Sequence, residues 1–266
     1  MKTLNQYIKE KLIINKNYSD GKVYHPKSFD ELRKIIDDRY DKLGAGTKRN
    51  PIDFNDIDVS NIDSFCSKYN KGGLFEGTKF KFIDISDWDV SSVTDMSYMF
   101  CRCEELESVG DISGWDVSNV TDMYSMFLDC KFFNQDISKW DVTKVSNMSF
   151  ILYGCASFNQ DISKWDVSSV TNMAYMFNLC ISFNQDISGW DVTNVTDMSF
   201  MFNYCPSFNQ DLSGWNVSKV TNMNAMFRGC KSFNKDISKW NVSKVKNNIL
   251  MFFNCPIKEE YKPKFK

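Results

Sequence analysis

The chain has a single histidine, His25, in 266 residues. Most histidine-based metal sites and catalytic triads need more imidazoles than that, so they are excluded on composition. No run of about 18 apolar residues occurs, so no helical membrane span is expected. The first twenty residues, MKTLNQYIKEKLIINKNYSD, are charged throughout. They lack the apolar stretch and small-residue cleavage site of a secretory signal. The expected location is therefore the cytoplasm of the producing cell, with the cell surface less favoured. A net charge of −2, from 32 basic and 34 acidic residues, argues against a nucleic-acid partner. Leucine is scarce, 11 residues against 22 phenylalanines, so the core is expected to be built on rings. There is no phosphate loop, nucleophile elbow, CxxC, HExxH or glycine-rich fingerprint.

What the chain does have is a repeat. Its seven tryptophans are Trp88, Trp115, Trp140, Trp165, Trp190, Trp215 and Trp240, spaced by 27 residues once and then by 25. Fifteen residues after each stands a cysteine, from Cys103 to Cys255. A fixed period of this size is the signature of a stacked array. One unit, residues 158–180, reads FNQDISKWDVSSVTNMAYMFNLC. Trp165 and Val167 are two apart, which places them on the inner face of a strand with Asp166 pointing out. After Val170 the apolar spacing becomes 3, 3, 1, 3, through Met173, Met176, Phe177 and Cys180. That spacing predicts one or two helical turns, with Thr171 as N-cap and Asn172 favouring a helix start.

The expected fold class is α/β. Each coil carries a short parallel strand on one face and a short helix on the other, and stacking makes one continuous core. Residues 79–257 hold seven regular repeats. Residues 52–78 read as an irregular first repeat, in which Ile57, Val59 and Ile62 copy the strand and Phe65 takes the first Met slot. Leu74, Phe75 and Thr78 then copy Met-Phe-x-x-Cys. Residues 21–51 read as a capping helix and linker. Ser28 to Glu31 forms a capping box, and Leu32, Ile35, Ile36 and Leu43 follow one helical face up to Gly44. Residues 1–20 form an amphipathic leader through Leu4, Tyr7, Ile8 and Leu12, and 258–266 a polar tail.

The units V-T-x-M-x-x-M-F-x-x-C and F-N-Q-D-I-S-x-W-D-V resemble the BspA-like leucine-rich repeats. These 25-residue repeats abound in mycoplasma surface lipoproteins and also occur in phages and giant viruses. The resemblance covers about 52–257. It implies a leucine-rich-repeat solenoid that binds other proteins or adheres to surfaces, with no one ligand attached to the repeat. The chain departs from the surface members in lacking a lipoprotein cysteine near its start. The leader resembles short N-terminal segments on proteins of large gut phages, and Ile8-Lys9-Glu10 resembles a prohead-protease site. That implies the alternative of a virion-associated or packaged structural protein with a targeting leader. A surface adhesin is the third reading.

The repeat columns sort the candidates. The cysteines follow Met-Phe on the inward side and are expected as reduced, buried thiols. Cys66 and Cys101 stand outside that register, and Cys101 is expected to be exposed and more reactive. The indoles are expected to be buried, with each N–H on a backbone carbonyl of the next coil. The aspartates four residues before each Trp (Asp84, Asp111, Asp136, Asp161, Asp186, Asp211 and Asp236) fit turn hydrogen bonds better than calcium. Asn134, Asn159, Asn184, Asn209 and Asn234 are expected to satisfy backbone groups in the same turns. No metal and no cofactor is expected.

The column just after each Trp is the informative one: Asp89, Asp116, Asp141, Asp166, Asp191, Asn216 and Asn241. It faces solvent by the pleat, and stacked carboxylates about 5 Å apart repel one another. Two readings stay open. The carboxylates bond to the Ser or Thr two residues on, or they form an acidic stripe for a partner. Lys139, Lys164 and Lys239, with Lys144, Lys219 and Lys244, flank the column and would tune recognition. Tyr98, Tyr124, Phe150, Tyr175 and Phe200 occupy variable sites on the other side, as a second patch or as packing between coils. Charge is polarised along the array. Residues 81–207 hold 6 basic and 18 acidic residues, and residues 208–257 hold 7 basic and 2 acidic. Such polarity steers a partner or favours end-to-end self-association. No enzyme is expected, because every carboxylate recurs in nearly the same surroundings, whereas an acid–base pair needs two different ones. His25 has no evident partner. The expected function is a non-catalytic protein–protein interaction solenoid that uses its strand face.

Overall fold

A computed structural model describes residues 23–68 and 72–265. The expected leader, with its Ile8-Lys9-Glu10 motif, lies outside the described residues. Among the described residues regular elements are few. They are helix α1 (Phe29–Leu43), the two-residue parallel strands β1 (Ile52–Asp53) and β2 (Ile83–Asp84), and a 3-10 turn (Glu259–Tyr261). The rest is turns, cross-linked at a fixed interval.

Helix α1 begins where Ser28 Oγ accepts the Glu31 N–H at 3.2 Å. The Glu31 carboxylate reaches back to the Lys27 N–H, one residue beyond the N-cap that it would meet in a reciprocal capping box. The helix ends at Gly44, whose φ of +72° suits a residue without a Cβ. Leu32 and Ile36 are fully buried against the first coil. Arg39 donates to the Asp53 carbonyl at 2.5 Å and is paired with Asp56 at 2.6 Å. Backbone groups at the start of the array are thus satisfied by guanidinium as well as by chain.

Single parallel bridges join Asp95, Asp122, Asn147, Asn172, Asp197, Asn222 and Asn247 in succession, each to its equivalent in the next coil. The bridge therefore sits seven residues after Trp and not at Trp-Asp-Val, where the strand is expected. The Trp region instead holds two tight turns. In one coil Trp165 N–H reaches the Ile162 carbonyl at 3.1 Å, and Val170 N–H reaches Val167 at 2.9 Å. The inward and outward alternation is kept: Trp165 and Val167 are buried, and Asp166 is exposed.

The expected helix does not form either. Tyr175 and Leu179 have φ of +60° and +63°, and the equivalent positions of the other regular coils are left-handed too. An α-helix uses its own carbonyls for every internal N–H. Here alternate N–H groups turn outward. Met173, Tyr175, Phe177 and Leu179 donate to Asp197, Ser199, Met201 and Asn203 of the next coil at 2.8–3.0 Å. Met176, Asn178 and Cys180 between them close four-residue turns inside the coil. Thr171 is not a cap. Its hydroxyl donates back to the Ser146 carbonyl at 3.3 Å, while Asn172 Oδ1 accepts the Ala174 N–H at 2.9 Å.

Inside the coils like side chains form rows. Phe133, Phe158, Phe183, Phe208 and Phe233 stack at 6.0–6.1 Å. Phe75, Phe100 and Phe127 form a second row at 5.3–5.4 Å. Trp165 and Trp190 lie at 6.5 Å, with planes 5° apart. Fully burying a large apolar side chain stabilises a fold by about 1.5–3 kcal/mol, and offset aromatic pairs add about 0.5–1.5 kcal/mol. Regular side-chain rows therefore compensate for sparse regular backbone structure.

Candidate interaction surface

The side chains of the column after Trp are exposed in all seven coils. In each, Oδ1 accepts the backbone N–H two residues on, from Ser91, Ser118, Thr143, Ser168, Thr193, Ser218 and Ser243, at 3.0–3.2 Å. The hydroxyls of Ser91 and Thr143 add a second bond to Asp89 and Asp141. The Ser118 hydroxyl, then its backbone N–H, holds the Asp116 carboxyl below its ordinary value. Ser168 does the same for Asp166, against weaker repulsion from Asp191, and Thr193 does it for Asp191. Of the two readings of this column, the bond to the residue two on is therefore present. It leaves the acidic row on the surface and fixes its orientation. Asn216 and Asn241 make the same turn with an amide, so the turn itself does not need the charge.

The aspartates four residues before Trp repeat this device, accepting from a serine N–H at 2.9–3.1 Å in every coil. The bridge position supplies a third such turn per coil, at 2.8–3.2 Å. Sequence reasoning assigned that position to a helix start. The signal for the turn is the restriction of that position to Asp or Asn in every coil.

The lysines divide between the two acidic rows. Lys139, Lys164 and Lys239 are exposed, but each acts on the row before Trp: Lys139 on Asp111 and Asp136, Lys164 on Asp161, Lys239 on Asp236. Lys144 and Lys219 act on the row after Trp, through Asp116 and Asp191. Those two are also anchored to the preceding coil by Asn119 and Asn194, at 2.8 and 2.7 Å.

Several expectations are corrected. The indole N–H bonds run to the preceding coil and not to the next one, as from Trp140 to the Ile112 carbonyl at 2.9 Å. The thiols point the same way, Cys180 to the Leu152 carbonyl at 3.0 Å. The repeat asparagines bond between coils and not within their own turn: Asn159 Oδ1 accepts the Asn184 N–H at 2.9 Å. Cys101 is buried, and burial pushes its thiol up to about 12. His25 does have a partner, Asp58, at 3.0 Å.

On the other side of each coil the aromatics at variable sites meet in one half-buried row. Tyr98 and Tyr124 lie at 5.1 Å, Tyr124 and Phe150 at 5.7 Å, Phe150 and Tyr175 at 4.4 Å, and Tyr175 and Phe200 at 4.5 Å. Ring-on-ring packing between coils uses much of their surface. Among the described residues no cluster of three or more His, Cys, Asp or Glu could hold a metal ion. No described helix is long and apolar enough to cross a membrane.

No curated protein and no solved structure matches the chain. A family model does match it, twice, over residues 69–188 and 153–262. The overlapping matches start near the first Met-Phe-x-x-Cys equivalent and end past the last cysteine, and they take in the bridged positions from Asp95 to Asn247. The chain thus belongs to the repeat family described as Mycoplasma protein of unknown function, DUF285.

Proposed function

We propose that the chain is a non-catalytic protein-binding module, a leucine-rich-repeat solenoid of the BspA-like type. It holds a cationic partner on the face that carries Asp89, Asp116, Asp141, Asp166 and Asp191. One observation carries this reading. Asn216 and Asn241 make the same turn as the five aspartates, so the row of charge is additional to what the fold requires. Exposed carboxylates in a repeating row repel one another, and a partner's cations relieve that repulsion. The net of 12 negative charges over residues 81–207 raises the rate at which such a partner is captured.

The test is the triple variant Asp116→Asn, Asp141→Asn, Asp166→Asn, which keeps each turn. Binding of a fluorescein-labelled oligolysine peptide should fall at least tenfold, to about the level seen for the unchanged protein in about 0.5 M salt. Thermal stability should fall only slightly, because each amide keeps the turn and loses only the part of the bond that the charge adds. Equal binding together with lower stability would assign the row to the fold alone.

A further inference from the structure

The stack has a direction. In each coil alternate N–H groups point toward the C-terminal end, and the carbonyls they need belong to the next coil. In the next-to-last coil Met223, Ala225, Phe227 and Gly229 still donate in this way, to Asn247, Ile249, Met251 and Phe253. The equivalent donors of the last coil are Asn248, Leu250, Phe252 and Asn254. Among the described residues none of the four has an acceptor. Beside them Ile249, Leu250 and Phe253 are 66%, 48% and 49% exposed. A shallow groove runs along the same edge, between Leu250, Phe252 and Phe253 on one side and Lys262 and Phe265 on the other.

The opposite end differs. There α1 covers the core, and Arg33 and Arg39 donate to the Gly73 and Asp53 carbonyls. A second copy meets a blocked end, because α1 lies over its first coil and Arg33 already occupies the Gly73 carbonyl. Two C-terminal edges cannot pair either, because both present donors. The occupant must bring carbonyls on alternate residues and apolar side chains. Its charge follows from the surroundings: residues 208–257 carry 7 basic and 2 acidic residues. Lys244 and Lys246 are exposed on that coil. The leader has the wrong sign, with four lysines against one Glu and one Asp in residues 1–20.

We propose that the edge from Asn248 to Asn254 docks an acidic segment of a partner protein. The segment is added as one more rung, with its carbonyls on the four free N–H groups. Main-chain bonds of this kind supply affinity, and the flanking lysines and apolar side chains supply selectivity. The site is separate from the aspartate face and stands or falls without it.

The probe is a synthetic peptide of residues 94–107 with Cys101 and Cys103 replaced by serine. In the stack, the carbonyls of Asp95, Met99 and Cys101 in this segment accept N–H bonds of this type. The peptide carries Asp95, Glu104, Glu105 and Glu107 against Arg102. Amide hydrogen exchange of the full chain is read with and without it. In the free chain the amides of Asn248, Leu250, Phe252 and Asn254 should exchange at least about a hundredfold faster than those of Met223, Ala225, Phe227 and Gly229. The acidic peptide should slow the first set about tenfold or more. A version with Asn and Gln in place of its acids should not, and Lys244→Glu with Lys246→Glu should abolish the effect while circular dichroism stays unchanged. Three results would overturn the proposal. These are protection of the four amides in the free chain, which would mean that the leader or a second copy already covers them; equal protection by the neutral peptide; and no protection by the acidic one.

Discussion

The indole N–H of Trp165 donates to the carbonyl oxygen of Ile137 across 3.0 Å, 28 residues earlier in the chain. Trp140, Trp190, Trp215 and Trp240 repeat the relation at 2.9–3.1 Å, and Trp88 makes it with Phe54. Trp115 is the exception: its Nε1 is buried without a protein partner. It belongs to the coil that follows the one 27-residue spacing.

That exception gives a matched pair of variants. Trp165→Phe leaves the Ile137 carbonyl without its donor and should cost about 1–3 kcal/mol beyond the loss of ring area. Trp115→Phe loses no bond and should cost less by about that amount. Urea unfolding of the two variants measures the difference.

Left-handed residues recur through the array, and only some are glycine. Leu179 has φ of +63° with its side chain 37% exposed, whereas the equivalent Gly154 has φ of +72°. A side chain in this region costs about 1–2 kcal/mol, partly offset in a glycine by about 0.5–1 kcal/mol of chain entropy. Leu179→Gly should therefore be neutral or stabilising by up to about 1 kcal/mol. Gly154→Val should be clearly destabilising, since even a Cβ there would lie 2.3 Å from Asp129 Oδ1. Thermal melts of both variants check the sign.

These residues also mark where the sequence stops being legible. The tryptophan spacing announces the stacking, and the Trp-x-Val alternation announces which side chains are buried. The apolar spacing from Met173 to Cys180 does not separate a helix from a chain of four-residue turns, because both put the same residues inside. The deciding feature is the sign of φ at Tyr175 and Leu179, and neither residue type announces it. The alternation of Trp165 and Val167 predicts the bridge there, but it forms at Asn172. There the polar side chain closes its own turn and leaves the flanking backbone to cross-link coils. The direction of the Trp, Cys and Asn bonds was beyond reach because a repeat looks the same read toward either neighbour. Strict in-and-out alternation after the buried Phe100 predicts an exposed Cys101, yet both are buried. In turns with alternating handedness, adjacent residues can both point inward.

Thiol reactivity should follow burial and not register. Burial pushes Cys155, Cys180, Cys205 and Cys230 well above the ordinary thiol value, and Cys101 to about 12. Thiolate is the reactive form, so these groups should be inert at pH 8. Titration with a disulfide reagent should find nine thiols in denatured, unreduced protein. In native protein it should find no more than two, at the half-buried Cys66 and Cys255.

Acid should loosen the array. Asp111, Asp136, Asp161 and Asp236 are held low first by a serine hydroxyl and then by that serine's N–H. For Asp186 and Asp211 the N–H comes first. The folded carboxyls release their protons more readily than the unfolded ones. Their stabilisation is therefore complete above the unfolded value of about 4 and is lost as pH falls through the lower folded values. Burial raises Asp53, Asp122 and Asp129, which act in the opposite sense but are fewer. The urea midpoint should drop below about pH 4. Asp136→Asn, Asp161→Asn and Asp186→Asn together should flatten that drop, because an amide oxygen keeps the turn without titrating.

The account rests on coils laid in register, with the indoles in a row between them. Hydrogen exchange of the seven indole N–H groups, followed by nuclear magnetic resonance after transfer to deuterated water, tests this most directly. Signals of Trp88, Trp140, Trp165, Trp190, Trp215 and Trp240 should persist for hours, and that of Trp115 should disappear first. Loss of all seven within minutes, as for indoles in water, would contradict it.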